Sequence, residues 1–153
     1  FFLPALLQFF QLRVLGLDTR NSTPGNLLRS AMEGATFALR FGIDELEQLG
    51  IRTEQIVLTG GGANSPTWRQ VVADVCDAPV VMLRQEEGAA FGAALQALAM
   101  LEGAGDELPA LVLDHLERDP ERSVEPRPSA VSFYQDTYSR YQQAVDKVAE
   151  LYG

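Results

Sequence analysis

Apolar positions along the chain change their spacing several times, and each change marks an element. Leu28, Met32, Ala35, Leu39, Ile43 and Leu46 recur at steps of four or three, which predicts a helix with that stripe buried. Thr23-Pro24 opens it, with Thr as N-cap and Pro at the first helical position, and Gly50 suits the left-handed residue just past its end. Gly34 and Gly42 interrupt the stripe and would let another element approach. Ile56-Val57-Leu58 is a short β-branched run behind a polar turn, read as a buried strand. It ends in Thr59-Gly60-Gly61-Gly62-Ala63-Asn64, and Ser65-Pro66 caps a second helix with Trp68, Val71, Val72, Val75 and Cys76 on one face. Asp77-Ala78-Pro79 stops that helix, and residues 79–83 read as a second buried strand. After a polar turn at 84–87, residues 88–101 predict a third helix crowded with glycine and alanine, able to lie close to a sheet or a partner helix. The alternation of helices and strands is that of an α/β domain with parallel strands and right-handed crossovers.

Residues 103–130 are rich in Pro, Gly and acidic groups and read as a connecting segment. Within it Leu108, Leu111, Val112, Leu113 and Leu116 suggest one short docked helix. Residues 131–153 form a closing helix whose stripe of Tyr134, Tyr138, Tyr141, Val145, Val148 and Tyr152 is a docking face. A tyrosine stripe could stack on bases, but only Arg140 and Lys147 flank it, so packing is the stronger reading. At the other end, Phe1 to Leu12 carry no charge, yet the run is too short and too interrupted for a span of about 20 apolar residues. It also lacks a signal peptide's basic start. Residues 1–15 are therefore an atypical N-terminal segment, a buried strand or helix cut from a larger protein or an altered sequence, and 16–102 form the domain core.

Composition narrows the function. The 153 residues suffice for one ordinary core. Lys plus Arg number 12 against 21 Asp plus Glu, and a formal net charge of −9 repels phosphate backbones, so nucleic acid is not expected as a partner. One Cys and one His leave no disulfide framework and no zinc site of the usual kind. A cytoplasmic protein with no membrane association fits this usage best.

The segment with chemical content is the glycine loop between the first strand and the second helix. Three successive glycines add no packing and cost entropy, so they make sense where backbone must approach a ligand. Backbone amides and a helix N-terminus there suit an anion. The loop matches neither standard phosphate motif. A dinucleotide fingerprint started at Gly60 would need Gly where Ser65 stands, and no Lys follows the glycines as a Walker A loop requires. The plain alternative is a tight turn, for which one or two glycines would do. Elsewhere Glu86-Glu87 read as helix-dipole partners, His115 as a surface or packing residue, and Asp18, Asp44 and Asp74 have no partner that sequence can place. No nucleophile-base motif of the familiar kinds occurs.

With these residues in view, IVLTGGGANSPTWRQVVADVCDAPVVML followed by EEGAAFGAALQAL resembles the second domain of the FGGY carbohydrate kinases, most nearly its bacterial xylulokinase branch. Upstream, Gly16-Leu17, then Asn26-Leu27, then Ser30-Ala31-Met32-Glu33-Gly34 resemble the family's C-terminal signature. The resemblance implies an actin-like ATPase domain of the ribonuclease H-like type, the C-terminal half of a two-domain sugar kinase. It implies ATP and Mg²⁺ in the cleft between the domains and transfer of the γ-phosphoryl group to a sugar hydroxyl. Gly60, Gly61, Gly62, Ala63 and Asn64 carry over as nucleotide contacts. The general base and the main metal ligands belong to the N-terminal kinase domain, so no catalytic or metal-binding residue is expected within this chain. A homodimer acting on D-xylulose is the leading expectation. Alternatives are a relative acting on ribulose, gluconate or glycerol, and a non-catalytic assembly module. Phe1 to Arg13 do not resemble the Gly-Glu-Arg-Thr-Pro-like segment of xylulokinases, and Leu12 stands where the signature has a small residue.

Overall fold

A computed structural model describes residues 16–84, 88–101 and 108–150. The expectations for residues 1–15, for Glu86-Glu87 and for Tyr152 lie outside the described residues. Helix α1 spans Pro24–Gln48; Thr23 caps it by accepting from Asn26 N, and Gly50 takes a left-handed φ of 84° beyond its end. Strand β1 (Ile56–Val57) leads through a 3₁₀ turn (Gly61–Asn64) into helix α2 (Pro66–Cys76), capped by Ser65. Asp77, at φ 50°, ends α2 in the left-handed conformation. Strand β2 (Val80–Leu83), helix α3 (Gly88–Leu101), helix α4 (Leu108–His115), strand β3 (Arg118–Val124) and helix α5 (Pro128–Glu150) follow.

The sheet runs β1-β2-β3. β1 and β2 are parallel, with Ile56 opposite Val80 and Val57 opposite Val81, as the helix-strand alternation demands. β3 is antiparallel to β2, pairing Leu83 with Arg118 and Val80 with Val124 across an irregularity. The described sheet is therefore mixed rather than purely parallel, and a strand lies inside the connecting segment, expected to hold only one short helix. Arg-Asp-Pro-Glu-Arg-Ser-Val has no alternation of apolar residues; its place is set by backbone pairing and by Ser123, whose hydroxyl accepts from Met82 N at 3.0 Å.

Helix α2 is the centre of the molecule. Val72 and Ala73 join Ala63, Val80 and Met82 against the sheet, while Val71 and Val75 pack with Phe37, Tyr134 and Tyr138 on the other side. Each fully buried valine contributes about 1.5–3 kcal/mol relative to exposure. Helix α1 is turned away from the predicted stripe: Leu28, Leu39 and Leu46 are 66%, 54% and 44% exposed, while Thr36 and Phe37 are buried. The face of α1 that goes in carries Thr36, Phe37 and polar groups whose partners lie on α2 and α5. Glu33 accepts from the Tyr134 hydroxyl at 2.7 Å, Asp44 from Tyr138 at 2.7 Å, and Thr36 Oγ1 from Trp68 Nε1 at 3.3 Å. The Leu28 face could not satisfy those donors. A Cβ at Gly34 or Gly42 would meet nothing within 4 Å, so no described element makes the close approach expected there. The tyrosines of the closing stripe dock, with Phe37 lying 6.1, 5.7 and 5.2 Å from the rings of Tyr134, Tyr138 and Tyr141, whereas Val145, expected on the same face, is 46% exposed.

Candidate functional site: the glycine loop

The loop leaves β1 through Leu58 and Thr59. Gly60 adopts φ 84°, ψ 178°, a backbone conformation that only glycine takes freely. The chain then tightens: Ala63 N donates to Gly60 O and Ser65 N to Gly62 O, both at 3.0 Å. Ser65 Oγ next accepts from Trp68 N at 3.3 Å, so the turn runs directly into the capped start of α2. Gly60, Gly61 and Asn64 are exposed, Gly62 is half-buried, and Ala63 is 3% exposed.

The three glycines have different reasons to be glycine. Gly60 is required by its backbone. Gly62 is required by packing: a Cβ there would lie 2.7 Å from Trp68 Cζ3 and 2.9 Å from Cε3. The expectation that the triple glycine has no packing value is thus corrected at Gly62, which makes room for an indole. Gly61 has neither constraint; its Cβ would meet nothing within 4 Å and its φ is not left-handed. Among the described residues nothing meets a side chain placed at Gly61.

Two arginines reach the end of the loop. Arg69, 7% exposed on α2, donates from Nη1 to the Ala63 carbonyl at 2.7 Å. Arg122, from β3, donates from Nη2 to Asn64 Oδ1 at 2.6 Å. Sequence reasoning missed both. Arg69 sits beside the apolar stripe of α2 and its burial carries no pattern, and Arg122 lies on the unforeseen strand.

The remaining candidates have structural roles. Asp18 organises its own turn, accepting from the Arg20 guanidinium at 2.9 Å and from the Arg20 and Asn21 amides; these bonds, the guanidinium's first, hold its carboxyl below the usual range. Asp44 takes the Tyr138 hydroxyl, Asp74 takes Arg127, and His115 Nδ1 lies 2.9 Å from the Leu111 carbonyl. Among the described residues no three His, Cys, Asp or Glu are grouped to hold a metal ion, and no helix is long and apolar enough to cross a membrane. The backbone of Gly60 and Gly61 is exposed at the loop, and no ligand set for Mg²⁺ occurs among the described residues.

Comparison with known proteins gives this geometry a context. The FGGY family of carbohydrate kinases, C-terminal domain, matches residues 1–101. The match begins at Phe1 and so takes in Phe1 to Arg13, which the sequence reading had placed outside the resemblance. The xylulose kinase of Haemophilus influenzae is 47% identical over 128 residues, covering 84% of this chain and 26% of that protein. The ligand-bound structure of xylulose kinase from Lactobacillus acidophilus superposes with a TM-score of 0.73 at 26% identity, over 91% of this chain and 27% of the other. Gluconate kinase from the same organism superposes equally well, at 0.73 and 25% identity over 91% of this chain and 27% of its own. The chain therefore spans about a quarter of the length of these relatives. Its architecture is that of an actin-like ATPase domain, and the chain belongs to the FGGY family of carbohydrate kinases, within the C-terminal domain.

Proposed function

We propose that this chain is the nucleotide-binding part of a carbohydrate kinase whose complete form transfers the γ-phosphoryl group of ATP to D-xylulose. The observation that carries the reading is Gly61, an exposed glycine between β1 and the start of α2 for which the described residues supply no reason. A ligand seated against the backbone supplies one. Gly60 and Gly61 form the exposed surface on which adenosine and phosphates rest, half-buried Gly62 and buried Ala63 back it, and Asn64 adds a side-chain amide at its edge. Phosphoryl transfer is mostly positioning and charge neutralisation. Mg²⁺ supplies part of that neutralisation when bound with the nucleotide. The residues of this chain hold and orient; the base that must approach the sugar hydroxyl to about 2.6–3.2 Å comes from the rest of the protein. D-Xylulose is favoured over other sugars by the 47% identity to a xylulose kinase. The equal likeness to a gluconate kinase keeps gluconate as the second candidate.

The test is coupled ADP release with D-xylulose, ribulose, gluconate and glycerol, on the full-length protein and on this chain alone. We expect turnover of D-xylulose by the former and none by the latter. Turnover by the chain alone would refute the division of labour, and preference for another substrate would refute the sugar. The same reading makes the protein a cytoplasmic homodimer, which sedimentation of the full-length protein checks.

A further inference from the structure

Ala63 and Asn64 close the glycine loop, and each is held by an arginine from a different element. Ala63 is buried, and its carbonyl takes the Nη1 hydrogen of Arg69, itself 7% exposed. Arg69 Nε meets no partner among the described residues, so the loop carbonyl is the polar anchor of this guanidinium. Drawing the Ala63 carbonyl towards α2 fixes the plane of the peptide that joins Ala63 to Asn64. Arg122 acts on the side chain instead. A guanidinium only donates, so Asn64 must present Oδ1 to it, which leaves the Nδ2 hydrogens as the group Asn64 can offer elsewhere. The amide orientation of Asn64 is thus set by charge and geometry rather than left to rotate.

We propose that Arg69 and Arg122 are positioning residues of the nucleotide site. Arg69 holds the loop backbone in its receiving shape, and Arg122 fixes Asn64 so that its Nδ2 donates to an acceptor on the nucleotide. The proposal rests on the glycine loop being the ATP site. Both arginines act through another residue, and neither needs to touch the ligand. Preorganisation of this kind lowers the cost of ordering the loop on binding, so its loss falls on ATP and not on the sugar.

The experiment uses the full-length protein and four variants: Arg122→Leu, Arg122→Lys, Arg69→Met and Gly61→Val. ATP affinity is measured by equilibrium binding, with KM for ATP, KM for sugar and Tm beside it. Arg122→Leu is expected to weaken ATP about tenfold with sugar KM and Tm unchanged. Arg122→Lys, which still donates to Oδ1, recovers most of that loss. Arg69→Met is expected to weaken ATP similarly; should it fail to fold, Arg122→Leu and its lysine rescue decide the matter alone. Wild-type ATP affinity in Arg122→Leu, while Gly61→Val has lost it, overturns the proposal and leaves the ATP site standing. Wild-type affinity in Gly61→Val as well overturns both.

Discussion

Asp74 and Arg127 meet where α2 faces the start of α5, and they meet three times. Arg127 donates its backbone N–H to Oδ1 at 2.8 Å, and its Nε and Nη2 to Oδ2 at 3.1 and 2.6 Å. Gln70 Nε2 adds a fourth bond to Oδ1 at 2.9 Å. The carboxylate is wholly buried while the Arg127 side chain is 59% exposed, so the two partners are not equivalent. Arg127→Ala strands a buried charge, whereas Arg127→Ala combined with Asp74→Asn does not. We expect the single variant to melt lower than the double. Thermal denaturation of both checks it, and a double variant melting below Arg127→Ala would count against the pair.

Gly61→Val and Gly62→Val should fail in different ways. At Gly61 a side chain meets open space, so Tm stays as in wild type while ATP affinity falls tenfold or more, about 1.4 kcal/mol per tenfold. At Gly62 the side chain meets the Trp68 ring, so Tm falls whether or not ATP is present. Equal melting loss in both variants would remove the argument for a ligand at Gly61.

Phe37 joins α1 to the rest of the molecule, 5% exposed among Val71, Val75, Tyr134 and Tyr138. Phe37→Ala is expected to cost about 3–5 kcal/mol of stability. Leu39→Ala, two residues away and 54% exposed in this chain, should cost far less. Denaturant titration of the two variants compares them directly.

Alkaline pH loosens the same interface. Burial is the main cause that pushes the Cys76 thiol up to about 11; Asp44 adds to it and Arg40 opposes it. Burial, then donation to Asp44, also raises the Tyr138 hydroxyl above its ordinary value. Both groups fold in their neutral form, and the unfolded chain loses those protons first. Stability is therefore fully present below about pH 9, the ordinary thiol value, and falls as pH climbs towards 11 and beyond. Alkylation of Cys76 should be slow at pH 9 and accelerate near 11, and a rate that levels off at pH 9 would contradict the burial.

The parts of the fold that were legible in sequence are those specified locally. Thr23, Ser65 and Gly50 act as caps because short-range chemistry suffices for a cap, and the apolar runs at 56–58 and 79–83 contain the strands; β2 is buried on alternate residues, whereas β1, expected to be buried, leaves Val57 46% exposed. β3 was not legible, since a polar strand paired along one described edge has no hydrophobic period to display. The buried face of α1 was misjudged because Tyr134, Tyr138 and Trp68, far along the chain, decide it. Within the site, the loop could be found from its glycines. Their separate reasons could not, because Trp68 approaches Gly62 only in three dimensions.

That approach makes positions 62 and 68 a single unit of variation. A larger residue at 62 demands a smaller one at 68, so neither is free to change first without loss. Among related kinases with a side chain at the position of Gly62, the indole should be replaced by something slighter. In this protein, Trp68→Leu should restore part of the Tm lost in Gly62→Ala, although each change alone lowers it. Drift in this loop would then proceed in paired steps at 62 and 68, while a side chain at Gly61 beside them meets no described residue.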